Sequence, residues 1–168
     1  MLQPNILCDK IYDIDPALLE QMGVKALALD VDNTLTLHDS QEVPDRVRAF
    51  LEKMKEKGMA LFIISNNSYE RVKPFAEGLG LEFVHSAAKP LTFGLARACR
   101  RFSLSKKEIM LVGDQLFTDI LAAKLFGCRC ALVTPFQIEH QKFLRFKRVL
   151  ERPILRGIHG RKERETRG

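Results

Sequence analysis

The chain has 168 residues, of which 46% are hydrophobic and 29% are charged. That length suits one domain with a buried core and is too short for two. The positive charge is uneven, because residues 142–168 hold ten of the 27 Lys and Arg residues but three of the 21 Asp and Glu residues. The basic character therefore belongs to a C-terminal arm, and the domain before it is nearly neutral.

The cysteines argue against a zinc site. They lack a CxxC pair and any His partner at zinc spacing, so we predict small buried side chains in a reducing cytosol. The sequence shows no signal segment, and no apolar run reaches the roughly 18 residues needed to span a bilayer. We therefore expect a cytoplasmic protein.

Apolar runs alternate with helix signals along the body of the chain. Residues 1–14 are predicted to be an irregular entry segment, and Asp15-Pro16 is predicted to begin a first helix that stops at Gly23. The predicted strands are 26 to 30 or 32, 60–64, 81–84, 109–112 and 130–133. The predicted helices after the first are 44–57, 69–79, 90–102 and 118–126.

The strands are continuous apolar runs, which is typical of a parallel sheet covered on both faces. We predict a three-layer, Rossmann-like α/β fold with about five parallel strands flanked by helices. Ligands of such sheets bind at the carboxyl ends of the strands. The polar residues at that edge are Asp30, Asp32, Ser65, Lys89 and Asp114.

The three carboxylates, of Asp30, Asp32 and Asp114, have few competing nitrogen or thiolate ligands and make a hard-oxygen site that suits Mg²⁺. A hydroxyl at Ser65 and a cation at Lys89 suit a phosphoryl group. One of the two neighbouring aspartates could attack phosphorus, and the other could transfer a proton to the leaving oxygen and then activate water. The residues thus indicate magnesium-dependent phosphoryl transfer.

Four segments carry a family resemblance, and they lie in order between about residues 24 and 135. Asp30-Val31-Asp32-Asn33-Thr34 resembles the DxDxT motif of the haloacid-dehalogenase-like phosphatases. Three later segments resemble the other three motifs of this family. They are Ser65 in Ile-Ile-Ser-Asn-Asn, then Lys89, and then Gly113-Asp114 followed by Asp119. The resemblance implies a domain of this type over residues 1–141, followed by a basic C-terminal helix and tail over 142–168.

The resemblance also implies roles for individual residues. Asp30 would be the nucleophile that forms an aspartyl-phosphate, and Asp32 the acid/base. The phosphoryl ligands would be Ser65, Asn66 and Lys89, and Mg²⁺ would be held by Asp30, the backbone carbonyl of Asp32, and Asp114. Asp119 would support Asp114 or Lys89. Thr34 either orients the site or only stabilises the turn after the strand.

The intervals between the motifs restrict the substrate. Residues 36–64 and 68–88 leave no room for an inserted cap domain, so we expect an open site. Such a site suits a large substrate that covers the pocket itself, or an oligomeric neighbour that acts as a lid. The chain resembles the capless group of phosphatidylglycerophosphate phosphatases and YqeG-type proteins, which implies a lipid phosphate as substrate.

The C-terminal arm, residues 142–168, interleaves apolar and basic side chains. It is expected either to pack as a last helix or to contact an anionic membrane surface from the cytoplasmic side. Two other hypotheses remain open. The first is a phosphatase for a soluble sugar phosphate or nucleotide, and the second is an RNA- or ribosome-associated factor that binds through the arm.

Overall fold

Six strands form one parallel sheet in the computed structural model, which describes residues 2–136. The strands are β1 (Ile6–Cys8), β2 (Ala26–Leu29), β3 (Ala60–Ile64), β4 (Glu82–Val84), β5 (Ile109–Gly113) and β6 (Arg129–Val133). The helices are α1 (Pro16–Gln21), α2 (Asp45–Glu56), α3 (Tyr69–Gly78), α4 (Phe93–Arg101) and α5 (Leu121–Phe126). A π-helical turn, Leu116–Ile120, directly precedes α5.

The strand order is β1-β6-β5-β2-β3-β4, and all five pairings are parallel. From β2 the chain builds outward through β3 and β4, then returns to the other side of β2 for β5 and β6. The point where the direction reverses lies between β2 and β5. Ligand sites of open parallel sheets form at the carboxyl ends of the strands at such a point.

The central strands are covered on both faces. Every residue of β2 and β5 is buried, and successive residues of a strand point to opposite faces. Burial of both faces explains why these segments are continuous apolar runs. It also confirms the predicted α/β sheet flanked by helices.

The sheet has one more strand than the sequence indicates. The segment predicted to be irregular contains β1, which pairs with β6 in the register Ile6↔Ala131. A three-residue edge strand whose partner lies at the other end of the domain leaves almost no local signal. The prediction of an irregular entry segment was therefore wrong over Ile6–Cys8.

Two helix starts also differ from the prediction. α4 begins at Phe93 instead of residue 90, and the helix predicted from residue 118 begins two residues earlier as the π-helical turn. The connection from β2 to β3 contains α2, and that from β3 to β4 contains α3, with no inserted cap domain in either. No helix within residues 2–136 combines the length and apolar character needed to cross a bilayer. The predicted C-terminal helix and tail, 142–168, lie outside the described residues.

Candidate active site

The chain's polar candidates meet at the carboxyl edge of the sheet, around the point where the strand order reverses. Asp30 follows β2, Ser65 follows β3 and Asp114 follows β5, while Lys89 lies in the loop after β4. All four side chains belong to buried residues. Parallel strands end at one edge, so this grouping follows directly from the topology.

The ammonium group of Lys89 lies at the centre of this group. Its Nζ donates to Asp30 Oδ1 at 2.7 Å, to Asp119 Oδ1 at 2.6 Å and to the Ile64 carbonyl at 3.0 Å. These three acceptors match the three donors of an ammonium ion. The cation is therefore fully satisfied and held between two carboxylates.

Burial and charge act in opposite directions on these groups. Burial raises the pKa of Asp30 to about 7, while the nearby charge of Lys89 opposes that rise. Burial alone would lower the pKa of Lys89, but the charges of Asp119 and Asp30 raise it above its usual range. Lys89 therefore stays protonated. Its positive charge lowers the pKa of Asp30 relative to the value that burial alone would give, and so favours the ionised form of that carboxyl group.

Asp119 reaches Lys89 because of the π-helical turn and of Gly113. The backbone N–H of Gln115 donates to Asp119 Oδ2 at 3.1 Å, which fixes the other carboxylate oxygen. A Cβ atom on Gly113 would lie 2.3 Å from Asp119 Cγ, far inside van der Waals contact. The close approach therefore requires glycine at position 113.

The donor set of the buried carboxylates fits a magnesium ion. One oxygen from each of Asp30, Asp114 and Asp119 lies within 4.8 Å of the others, and all three residues are buried. Because protein donors already bind both oxygens of Asp119, Asp30 and Asp114 are the better candidates for direct ligands. Carboxylate oxygens alone suit Mg²⁺ better than a softer metal.

Asp32 faces a different set of partners from Asp30. Its Oδ2 accepts from Asn67 Nδ2 at 2.5 Å, and its Oδ1 accepts from Arg71 Nη2 at 3.1 Å. The backbone N–H of Asp39 also donates to Oδ1, at 3.0 Å. The side chain of Asp32 therefore lies outside the carboxylate cluster of Asp30, Asp114 and Asp119.

The remaining predicted residues shape the loops. Both polar atoms of the Asn66 side chain bind the backbone of Lys89, with Nδ2 to the carbonyl at 2.9 Å and the N–H to Oδ1 at 2.7 Å. Since the Asn66 side chain already makes these two hydrogen bonds, any hydrogen bond from Asn66 to a phosphate would come from its backbone N–H. Ser65 is buried, and its Oγ accepts from the Asn67 N–H at 3.2 Å. Thr34 is buried in the turn that follows β2, and its hydroxyl has no hydrogen-bond partner among the described residues.

Sequence reasoning missed three contributors to this site: Asn67, Arg71 and Gly113. Asn67 lies inside the Ser-Asn-Asn motif, so its position was a usable signal. Arg71 is in the first turn of α3 and meets Asp32 across 39 positions of sequence, for which no local pattern exists. The need for glycine at 113 depends on the placement of Asp119 by the π-helical turn.

Residues 19–127 match the family model described as "Hydrolase: haloacid dehalogenase-like hydrolase". The chain belongs to this family. Among curated relatives, the "Probable phosphatase YqeG" of Bacillus subtilis is 37% identical over 155 residues, covering 92% of this chain and 90% of that protein. The mitochondrial "Phosphatidylglycerophosphatase GEP4" of Saccharomyces cerevisiae is 34% identical over 141 residues, covering 76% of this chain and 75% of that protein.

Solved structures agree on the fold of this haloacid dehalogenase-like hydrolase. An uncharacterized protein from Listeria monocytogenes superposes with a TM-score of 0.57 at 20% identity, covering 70% of this chain and 85% of that one. At this identity the likeness supports the fold alone. The family and the phosphatase relatives together make this chain a phosphatase.

Proposed function

We propose that this hydrolase is a magnesium-dependent phosphomonoesterase that works through an aspartyl-phosphate on Asp30. The observation that carries the proposal is the buried ammonium of Lys89, which is held between Asp30 and Asp119 at the edge where substrates of such sheets bind. A fixed cation beside a carboxylate nucleophile can offset the charge of an incoming phosphate. Bound Mg²⁺ would supply further neutralisation of the phosphoryl oxygens.

The proposed reaction has two half-reactions. Asp30 attacks phosphorus, the bond from phosphorus to the ester oxygen breaks, and Asp32 donates a proton to that leaving oxygen. In the second half, Asp32 accepts a proton from water, which attacks phosphorus and releases inorganic phosphate from Asp30. Ser65 and the backbone N–H of Asn66 would hold the phosphoryl oxygens, and the positive charge of Lys89 beside Asp30 would offset the negative charge of those oxygens.

Asn67 and Arg71 support the acid/base assignment by fixing the side chain of Asp32 away from Lys89. The two aspartates therefore have separate surroundings, one with a buried ammonium and the other with an amide and a guanidinium group. Different surroundings allow two similar carboxylates to take different roles. Asp30 would remain the nucleophile and Asp32 the proton carrier.

We further propose phosphatidylglycerophosphate as the substrate, with turnover at the cytoplasmic face of a membrane. The support is the name of the yeast relative and the absence of an inserted cap between β2 and β4. An uncapped site leaves room for a lipid head group and its two chains.

The test is a substrate panel in the presence and absence of Mg²⁺. Phosphatidylglycerophosphate in mixed vesicles would be compared with glycerol 3-phosphate, a sugar phosphate and a nucleotide. We expect the lipid to give the highest kcat/KM and EDTA to abolish turnover. A higher kcat/KM for a soluble phosphate than for the lipid would contradict the proposed substrate but not the proposed phosphatase mechanism.

The nucleophile has its own test. Asp30→Asn should abolish hydrolysis of an aryl phosphate and also the acid-stable covalent label formed from a ³²P-labelled substrate. The control is Asp45→Asn, at an exposed position in the first turn of α2, which should behave as the parent. Retained turnover or labelling in Asp30→Asn would contradict the mechanism.

A further inference from the structure

Exposed hydrophobic side chains concentrate at the edge of the sheet that carries the active site. Among residues 2–136, six large hydrophobic side chains are exposed, and four of them follow the carboxyl ends of β2, β3 and β4. These four form what we call the apolar rim: Leu37, Tyr69, Leu91 and Phe93. Single exposed hydrophobic residues are ordinary, but a group of them at one functional edge indicates an interaction surface.

The most exposed members of the rim lie beside the catalytic lysine. Phe93 is 72% exposed and Leu91 is 54% exposed, four and two residues after Lys89. Their support is rigid, because a Cβ atom on Gly94 would lie 2.7 Å from Ala87 Cβ. The start of α4 is therefore packed directly against the loop that leads into Lys89, and the backbone that carries Phe93 is fixed there.

Basic side chains flank this apolar tip. Phe93, Arg97 and Arg100 are spaced to share one face of α4, and all three are exposed. Residues 90–107 contain five Lys or Arg residues and no Asp or Glu. Arg97 Nη2 donates to the His85 carbonyl at 2.6 Å, which keeps its guanidinium near the rim. The surface is thus apolar at its tip and basic along its side.

We propose that the apolar rim and the basic face of α4 dock the active-site edge onto an anionic phospholipid surface. With a rise of about 1.5 Å per residue, Arg97 and Arg100 lie about 6 Å and about 10 Å along α4 from Phe93. Phe93 can then enter the apolar boundary of a bilayer while the arginines stay at the level of the phosphates. The order of an apolar tip followed by basic groups matches the order of acyl chains and phosphates with depth in an anionic bilayer.

This inference rests on the proposed lipid substrate and deepens it. Docking at the rim would turn the open site toward the membrane, so that a lipid head group could reach Asp30 without leaving the bilayer. The lipid surface would also exclude bulk water from the site, which is the task of a cap domain in an enzyme that has one.

The experiment compares two variants of the full chain in vesicle co-sedimentation. The double variant Leu91→Ser, Phe93→Ser removes the tip of the rim. Leu125→Ser is the matched control, because Leu125 is 62% exposed but lies at the end of α5, next to the start of β6 and so at the opposite edge of the sheet. The vesicles would contain phosphatidylcholine alone or phosphatidylcholine with phosphatidylglycerol.

We expect the parent and Leu125→Ser to bind the phosphatidylglycerol vesicles equally. The double variant should bind them less by about tenfold for each apolar side chain removed. Arg100→Gln should weaken binding at low salt and have little effect at high salt. Hydrolysis of a soluble aryl phosphate by every variant would show that the site remains folded.

Equal vesicle binding by the parent and the double variant would overturn the proposal. So would a change confined to self-association in analytical ultracentrifugation, since that would assign the rim to a second copy of the chain. The proposed substrate is judged separately. If vesicle binding depends on the rim but phosphatidylglycerophosphate is not hydrolysed, the docking surface is supported and the proposed substrate is wrong. If phosphatidylglycerophosphate is hydrolysed in detergent micelles but vesicle binding does not depend on the rim, the substrate is supported and the docking surface is wrong.

Discussion

Removal of the buried ammonium group of Lys89 should destabilise the fold as well as stop catalysis. The side chain is 3% exposed, and its Nζ lies 2.7 Å and 2.6 Å from the carboxylates of Asp30 and Asp119. Lys89→Met keeps the apolar stem but leaves both carboxylates buried without their cation. Breaking a buried ion pair in this way costs about 3–5 kcal/mol, which is the expected loss in the free energy of unfolding.

Lys25→Met is the matched control for this prediction. Lys25 Nζ lies 2.6 Å from Glu108, as close as the buried pair, but the Lys25 side chain is 70% exposed. An ion pair in water is screened and contributes little to stability. Lys25→Met removes one exposed ion pair, whereas Lys89→Met removes two buried ones at nearly the same N–O distances, so a loss confined to Lys89→Met would be the effect of burying the carboxylates.

The assay is urea unfolding at pH 8 in EDTA, with equal m-values as a check that the transitions are comparable. A double variant, Lys89→Met with Asp119→Asn, should lose less than the sum of the single variants because it also removes one of the stranded charges. Equal losses in the free energy of unfolding for Lys25→Met and Lys89→Met would refute the reasoning. So would a loss in the double variant that equals the sum of the losses in Lys89→Met and Asp119→Asn.

The pH dependence of the same measurement follows from Asp30. Its pKa is raised from 3.8 to about 7 in the folded protein, so between these values the native state holds a proton that the unfolded chain has released. The stability contributed by this group therefore falls as the pH rises through that window. Lys89 opposes the rise in the pKa of Asp30, so without Lys89 the fall should continue to higher pH, and Lys89→Met should be closer in stability to the parent at pH 5.5 than at pH 8.

Three further perturbations test other parts of the site. Gly113→Ala places a methyl group 2.3 Å from Asp119 Cγ, so it should reduce turnover and lower the free energy of unfolding by about 1–3 kcal/mol in urea. Asn67→Ala removes a donor to Asp32, so kcat/KM should fall more for an alkyl phosphate than for p-nitrophenyl phosphate, whose leaving group needs no proton. Mg²⁺ affinity in calorimetry should weaken about tenfold per pH unit below about 7, because protonation of Asp30 removes a ligand.

Each of these has a control or a contradicting result. Gly78→Ala, at the end of α3, has no atom within 4 Å of the new methyl group and should not lower stability. An equal fall in kcat/KM on the alkyl phosphate and on p-nitrophenyl phosphate would indicate that Asn67 has a structural role and does not act through Asp32. Constant Mg²⁺ affinity between pH 5 and pH 8 would argue against Asp30 as a metal ligand.

The central strands and the set of candidate residues were predictable from local patterns. β2, β3 and β5 are apolar runs that end in polar residues, and burial on both faces requires that pattern. Once the sheet is parallel, the residues after these strands must share an edge. Asp30, Ser65 and Asp114 could therefore be grouped before any contact was known.

Contacts across long stretches of sequence were not predictable in this way. β1 is recognisable only through its pairing with β6, and Arg71 only through its contact with Asp32. The family resemblance assigned Asp119 to Asp114 or Lys89, but no helix signal indicates the π-helical turn that brings its carboxylate to Lys89.

The sequence by itself determined which chemical groups this hydrolase brings to one edge of its sheet, because continuous apolar runs mark the buried strands and the polar residues that follow them mark that edge. Only the tertiary structure decided how those groups are paired. After β2 the backbone turns at Asn33, where φ is 61°, and the two aspartates that opened the functional hypothesis then face different partners. Asp30 meets Lys89 and Asp32 meets Arg71, since side-chain pairing depends on strand order and loop geometry, which no local pattern contains.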